Sequence, residues 1–122
     1  MSRRDLVEAP GNFDVAVDRQ GSNVTVAPKG EVDLATVRVV RDAVEQSDNG
    51  FESLVLDLRE VSFMDTSGLR YVLELNERAE QEGFQLALVR GPAAVQRVFE
   101  ISGLDARLPF VDDPGAGPRS GD

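Results

Sequence analysis

The chain contains no cysteine, no histidine and no tryptophan among its 122 residues. Without cysteine there are no disulfides, thiolate metal sites, iron–sulfur clusters or cysteine nucleophiles. Without histidine there is no Ser-His-Asp triad, no imidazole metal ligand and no ordinary neutral-pH general base. Lysine is almost absent too, since Lys29 is the single one beside twelve arginines. Long apolar runs are missing: the longest is Leu86-Ala87-Leu88-Val89, far short of the ~20 residues of a membrane-spanning helix. The N-terminal Met1-Ser2-Arg3-Arg4-Asp5 leads into no apolar stretch of a secretory signal. Both observations point to a cytoplasmic protein with no membrane insertion.

What is present is acid. Twenty-two Asp and Glu against thirteen Lys and Arg give a formal charge of −9. Phosphate backbones need clustered cations, so nucleic acid is not an expected partner. The length fits one domain with a real core. High negative charge favours a monomer. Carboxylate-only metal sites stay chemically possible, but no spacing argues for one, and neither a metal nor a cofactor is expected.

The ends read as flexible tails, residues 1–12 around Pro10-Gly11-Asn12 and residues 112–122 with no large apolar side chain. The folded unit is residues 13–111. Phe13, Val15 and Val17 alternate along a first strand, Gly21-Ser22-Asn23 turns, and Val24, Val26 and Pro28 mark a second, making an opening hairpin. Asp33 reads as the N-cap of a helix with Leu34, Val37, Val40 and Val44 inward. Leu54 to Leu58 is a buried strand. A helix follows over Ser67–Glu82, with Leu69, Val72, Leu73 and Ala79 inward, and Tyr71 and Arg70 outward. Phe84 to Val89 is another buried strand. Gly91 as N-cap and Pro92 as first residue open a third helix, with Val95, Val98, Phe99 and Ser102 inward. Leu108 to Val111 closes the sheet. Each helix ends at a Gly followed by a large apolar residue: Gly50-Phe51, Gly83-Phe84 and Gly103-Leu104. The order β-β-α-β-α-β-α-β defines an α/β domain with a mixed, mostly parallel sheet and helices after the second, third and fourth strands.

Chemistry concentrates in Val61-Ser62-Phe63-Met64-Asp65-Thr66-Ser67-Gly68-Leu69, between a strand and a helix. Asp65, Thr66 and Ser67 are all helix-capping residue types, where one would suffice. A hydroxyl there is a candidate phosphorylation site, with free N–H groups and the helix dipole to hold the phosphate. Gly68 would let another backbone come close. Phe63 and Met64 are expected in the core beneath the helix start. No nucleophile elbow, P-loop or dinucleotide fingerprint is present, so no enzyme activity is expected. A phosphoacceptor receiver domain, which Asp57 at the end of the central strand could suggest, would need an acidic pair after the first strand and a late lysine; neither is present.

Phe63-Met64-Asp65-Thr66-Ser67-Gly68-Leu69, together with Gly30-Glu31-Val32-Asp33 before the first helix, resembles the signature of the STAS domain. More narrowly it is similar to the stand-alone bacterial anti-sigma factor antagonists. The resemblance spans residues 13–111. It implies Ser67 as phosphoacceptor, with Thr66 as a second candidate hydroxyl, and Asp65, Gly68 and Asp33 as surroundings of that site and contacts to a partner. It implies as partner an anti-sigma factor that is itself a serine kinase of the GHKL type, bound while Ser67 is unmodified and released on its phosphorylation. A serine phosphatase would reset the switch, so that sigma-dependent transcription follows the stress signal. The alternative role is a non-catalytic STAS subunit of another assembly, either a stress-signalling complex or the partner of a lipid transporter.

Overall fold

The computed structural model describes residues 12–113. Most of the two tail segments therefore lies outside the described residues. Strand β1 (Asp14–Gln20) pairs antiparallel with β2 (Asn23–Val32). Gly21 makes the turn between them at φ 63°, which a side chain would resist. Strand β3 (Ser53–Asp57) lies parallel to β2, β5 (Gln85–Val89) parallel to β3, and β6 (Phe110–Val111) parallel to β5. The path β1-β2-β3-β5-β6 is thus parallel throughout except for its opening hairpin.

One strand was not legible in the sequence. Residues 61–64 form β4 (Val61–Met64), parallel to the far end of β2. Its apolar pattern does not alternate, because the register with β2 shifts between Gly30 and Glu31. Val61 and Met64 face the core, while Ser62 and Phe63 are exposed. A bulge of this kind turns two successive side chains outward and breaks the period-two signal. Phe63, expected inside, is 48% exposed. Pro28 falls between the last β3 partner, Val26, and the first β4 partner, Gly30, where β2 has no parallel neighbour. A residue without an N–H is tolerated in that gap.

Three helices, α1 (Val37–Ser47), α2 (Thr66–Glu82) and α3 (Ala93–Ile101), follow β2, β4 and β5. All three contribute to one core with Val24, Val26, Leu54, Leu56 and Leu88 of the sheet. Side chains of the opposite strand parity, Val55, Ala87 and Val89, form a smaller cluster with Val111. Gly83 ends α2 in the left-handed conformation at φ 82°, and Phe84 packs edge-on against Phe51 at 4.8 Å. The apolar residues after Gly50 and Gly83 thus share one contact, but α1 itself ends at Ser47 with an extended Asp48 as its C-cap, so Gly50 turns the loop beyond the helix instead of capping it as expected.

All three expected helix faces are shifted. Helix α1 starts four residues after Asp33, leaving Leu34 77% exposed. Its inner face is Val37, Val39, Val40 and Val44. In α2 the inner stripe is Gly68, Tyr71, Val72, Leu75 and Ala79, so Tyr71 is buried and Leu73 is 38% exposed. In α3, Pro92 is the N-cap, and Gln96 rather than Ser102 joins Val95 and Phe99 inside. Gly91 serves contact: a Cβ there would stand 2.7 Å from the Leu58 carbonyl oxygen. The Gln96 side-chain oxygen accepts from the Gly91 N–H at 2.8 Å.

Tyr71 carries a testable cost. Its buried hydroxyl has no hydrogen-bond partner among the described residues, and the Arg41 guanidinium lies 4.7 Å above its ring. Burial pushes the phenol pKa up, against the pull of Arg41. A raised folded-state pKa means stability that is complete below the unfolded phenol value, about 10, and is lost as pH rises above it. Tyr71→Phe is expected to gain about 1 kcal/mol at neutral pH, by removing an unsatisfied buried donor. Urea unfolding of the variant should show no tyrosine-dependent loss above pH 10.

Candidate functional site

Two loops meet at the carboxyl ends of β2 and β4. The Val32–Met64 pairing aligns them, and the Asp65 N–H donates to the Val32 carbonyl at 3.1 Å. This brings the Asp33 turn beside the start of α2, as the two sequence motifs suggested. Asp65 is extended and is the N-cap: its Oδ1 accepts from the Ser67 N–H at 2.8 Å. The Gly68 and Leu69 N–H groups donate to the Asp65 carbonyl at 3.1 and 3.2 Å.

The expected cradle of free N–H groups is therefore largely occupied. Of the amides at residues 65–69, only that of Thr66 has no partner among the described residues. A phosphate on Ser67 would have to compete with the Asp65 carboxylate for the Ser67 N–H. The hydroxyls themselves are available. Thr66 is exposed, Ser67 half-buried, and neither side chain hydrogen-bonds to a described residue.

Asp33 is held by its own turn. Its Oδ1 accepts from the Ala35 and Thr36 N–H groups, both at 3.0 Å. In return, the Thr36 hydroxyl accepts from the Asp33 N–H at 2.9 Å and donates to the Glu31 carbonyl at 2.6 Å. This is a reciprocal cap with Thr in place of the usual third-position acid. Thr36, 3% exposed, was missed in the sequence reading, although a cap residue three positions after Asp33 was its signal. An open hollow of about 400 Å³ borders this turn, lined by Glu31, Asp33, Thr36 and Ser62 among others. Ser67 does not line it.

Gly68 has a packing role within the fold. It is buried, and a Cβ on it would stand 2.7 Å from Met64 Cγ and 2.9 Å from Val32 Cγ1. The absent side chain lets α2 sit directly on β2 and β4. Gly68→Ala gains about 1 kcal/mol of helix propensity but overpacks a tight contact at about 1–3 kcal/mol. A net loss of about 1 kcal/mol is expected in thermal unfolding.

Glu31, Asp33 and Asp65 give this end of the sheet one sign of charge. None of them pairs with a described Lys or Arg within salt-bridge distance. Among the described residues, no cluster of three His, Cys, Asp or Glu could hold a metal ion. No described helix is long and apolar enough to cross a membrane.

The start of α2 thus presents an exposed Thr66 and a half-buried Ser67 beside the Asp33 turn. Residues 15–112 match the family model described as "Mlab, STAS domain", and the chain belongs to the STAS family. It is 33% identical over 98 residues to Osmosensory protein A of Mycobacterium tuberculosis, covering 73% of this chain but only 61% of that protein. It is 28% identical over 104 residues to the anti-sigma F factor antagonist of Paenibacillus polymyxa, covering 84% and 89% of the two chains. It is 33% identical over 89 residues to an anti-sigma-B factor antagonist of Listeria monocytogenes, covering 71% and 77%. The fold superposes on an anti-sigma factor antagonist from Mycobacterium paratuberculosis with a TM-score of 0.77 at 23% identity, over 90% and 94% of the two chains. It superposes on unphosphorylated SpoIIAA with a TM-score of 0.70 at 22% identity, over 84% and 92%.

Proposed function

We propose that this chain is an anti-sigma factor antagonist that works by binding, without catalysis, and is switched by phosphorylation of Ser67. The observation that carries this reading is the junction of the Asp33 turn with the Asp65-Thr66-Ser67 start of α2, which sets a hydroxyl with no hydrogen-bond partner among the described residues beside two acidic segments. The antagonists of Paenibacillus and Listeria support it by name. The partner is an anti-sigma factor with GHKL-type serine kinase activity, and a serine phosphatase reverses the modification. Thr66, one residue earlier and more exposed, is the second candidate acceptor. The protein acts as a cytoplasmic monomer. Osmosensory protein A favours a second reading, a stress-signalling STAS subunit whose partner is another kind of protein.

The test uses Ser67→Ala and Ser67→Asp chains as baits in native lysate, with mass spectrometry of the retained proteins. A GHKL-type ATPase held by the Ala bait and lost from the Asp bait supports the antagonist. Incubating that ATPase, ATP and the wild-type chain should then place phosphate on Ser67. Identical retention by both baits overturns the switch, and the identity of the retained proteins then decides the second reading.

A further inference from the structure

We infer that Asn49-Gly50 is a site of spontaneous deamidation, and that Asp48, held by Arg78, sets its rate. Asn49 is one of four asparagines in the chain and the one followed by glycine. It lies in the short loop between α1 and β3, where Asn49 and Gly50 are both exposed. Its side chain hydrogen-bonds to no described residue.

The chemistry needs only water and base. The Gly50 backbone nitrogen loses its proton to base and attacks the Asn49 side-chain carbonyl carbon, Cγ. A new C–N bond closes a succinimide ring. The bond from Cγ to Nδ2 breaks, and Nδ2 takes a proton from water and leaves as ammonia. Water then opens the ring at one carbonyl or the other, which leaves aspartate or isoaspartate at position 49. No oxidant or reductant takes part.

Glycine makes the nitrogen reachable. It carries no Cβ to hinder the attack, and a Cβ built on Gly50 would meet no atom within 4 Å. Glycine is also demanded there, because φ is 76°. The turn into β3 therefore preserves the reactive pair. The other asparagines precede Phe13, Val24 and Glu77, and Asn76 lies inside α2, where the helix fixes the next amide.

The structure also supplies a guard. Asp48 Oδ1 accepts from the Gly50 N–H at 2.9 Å, and that is the proton the reaction must remove. Its loss would set an amide anion against a carboxylate, so the bond keeps the nitrogen protonated and turned toward Asp48. Asp48 is held in its turn. Its Oδ2 accepts from Arg78, which also pairs with Glu45 at 2.9 Å and Glu82 at 3.2 Å and lies over the rings of Phe51 and Phe84. Arg78 fixes the acceptor, and the acceptor fixes the nucleophile.

Conversion adds a carboxylate beside Asp48 that competes for Arg78, and isoaspartate also lengthens the backbone by a methylene. The loop leads into the amino end of β3, next to the β1–β2 turn, where the Glu52 N–H donates to the Ser22 carbonyl at 2.8 Å. Asp33 and Asp65 stand at the other end of the sheet. The converted chain should therefore melt at a lower temperature with its candidate site unaltered.

The test incubates the full chain in warm, mildly alkaline buffer and follows each asparagine by tryptic mass mapping. The four asparagines fall in four different tryptic peptides, so each reports alone. Asn49 should gain the mass of NH exchanged for O while the other three stay unchanged, and isoaspartyl methyltransferase should label the Asp42–Arg59 peptide. Asp48→Ala should convert about tenfold faster than wild type, the worth of one hydrogen bond to a charged group. Wild type unfolded in guanidinium chloride should reach that faster rate, a comparison that depends on no variant folding. If folded and unfolded wild type convert equally fast, or if a folded Asp48→Ala chain converts no faster than wild type, the guard is refuted. If Asn49 stays intact even in the unfolded chain, the site itself is refuted.

Discussion

Ser67→Asp is expected to weaken binding to the anti-sigma factor about 100-fold, while Ser67→Ala stays within about threefold of wild type. The alanine substitution removes a hydroxyl with no described hydrogen-bond partner, so no polar group is orphaned and little changes. The aspartate adds a carboxylate two residues after Asp65 and next to the Asp33 turn. Closing a partner over an unpaired, desolvated charge costs about 2–5 kcal/mol, and 1.4 kcal/mol is a factor of ten. Helix α2 itself should tolerate the change, since an acid in the first turn favours the dipole by about 0.3–1 kcal/mol and repulsion from Asp65 offsets it. Melting temperatures should therefore agree within a few degrees. Calorimetric titration of the three chains with one anti-sigma factor checks the ratio. Equal affinities would leave Ser67 as a helix residue and nothing more.

The phosphorylated protein should show a larger effect than Ser67→Asp, for a reason visible in the capping geometry. The Asp65 carboxylate already holds the Ser67 N–H. A phosphate of about −1.5 to −2 charge can take that amide only by displacing Asp65. If it does not, it projects outward as an uncompensated anion. Either result changes the surface that a partner meets, and neither requires the domain to unfold.

Local chemistry made much of this legible in the sequence. The Gly-plus-apolar helix endings work within a few residues, so Gly83-Phe84 could be read directly. The Asp65 cap and the Asp33 turn were visible as residue types. What failed depended on partners distant in sequence. Strand β4 was hidden because its outward Phe63 follows from a register shift opposite Gly30, and no window on residues 61–64 contains that information. Tyr71 was assigned outward because the inner stripe was drawn through Leu69, Val72, Leu73 and Ala79. It is buried because Gly68 draws α2 onto Val32 and Met64, which rotates the inner stripe onto residues 68, 71, 72, 75 and 79. Leu34 was assigned to the core because Asp33 was taken to cap α1 directly. The Thr36 cap inserts one more turn and leaves Leu34 outside.

Phe99→Ala is expected to be the most damaging single truncation of the core, at about 3–5 kcal/mol. Phe99 is fully buried and meets Phe110 edge-on at 5.1 Å, tying α3 to the last strand of the sheet. Its carbonyl also accepts from the Leu104 and Asp105 N–H groups at 2.8 and 3.2 Å, so the exit of α3 is anchored at the same residue. For a domain of this size each kcal/mol moves the midpoint by about 4–8 °C, so a fall of at least about 12 °C is expected by circular dichroism. Partner binding well below the new midpoint should nevertheless stay within about threefold of wild type. The groups that set the candidate site, Asp65 on Val32 and Asp33 with Thr36, are held by β2 and by their own turns, and none of those bonds involves α3. Binding that fell tenfold in a still-folded Phe99→Ala chain would show otherwise. It would mean that α3, which lies against β4, also fixes where β4 presents Phe63 and Asp65.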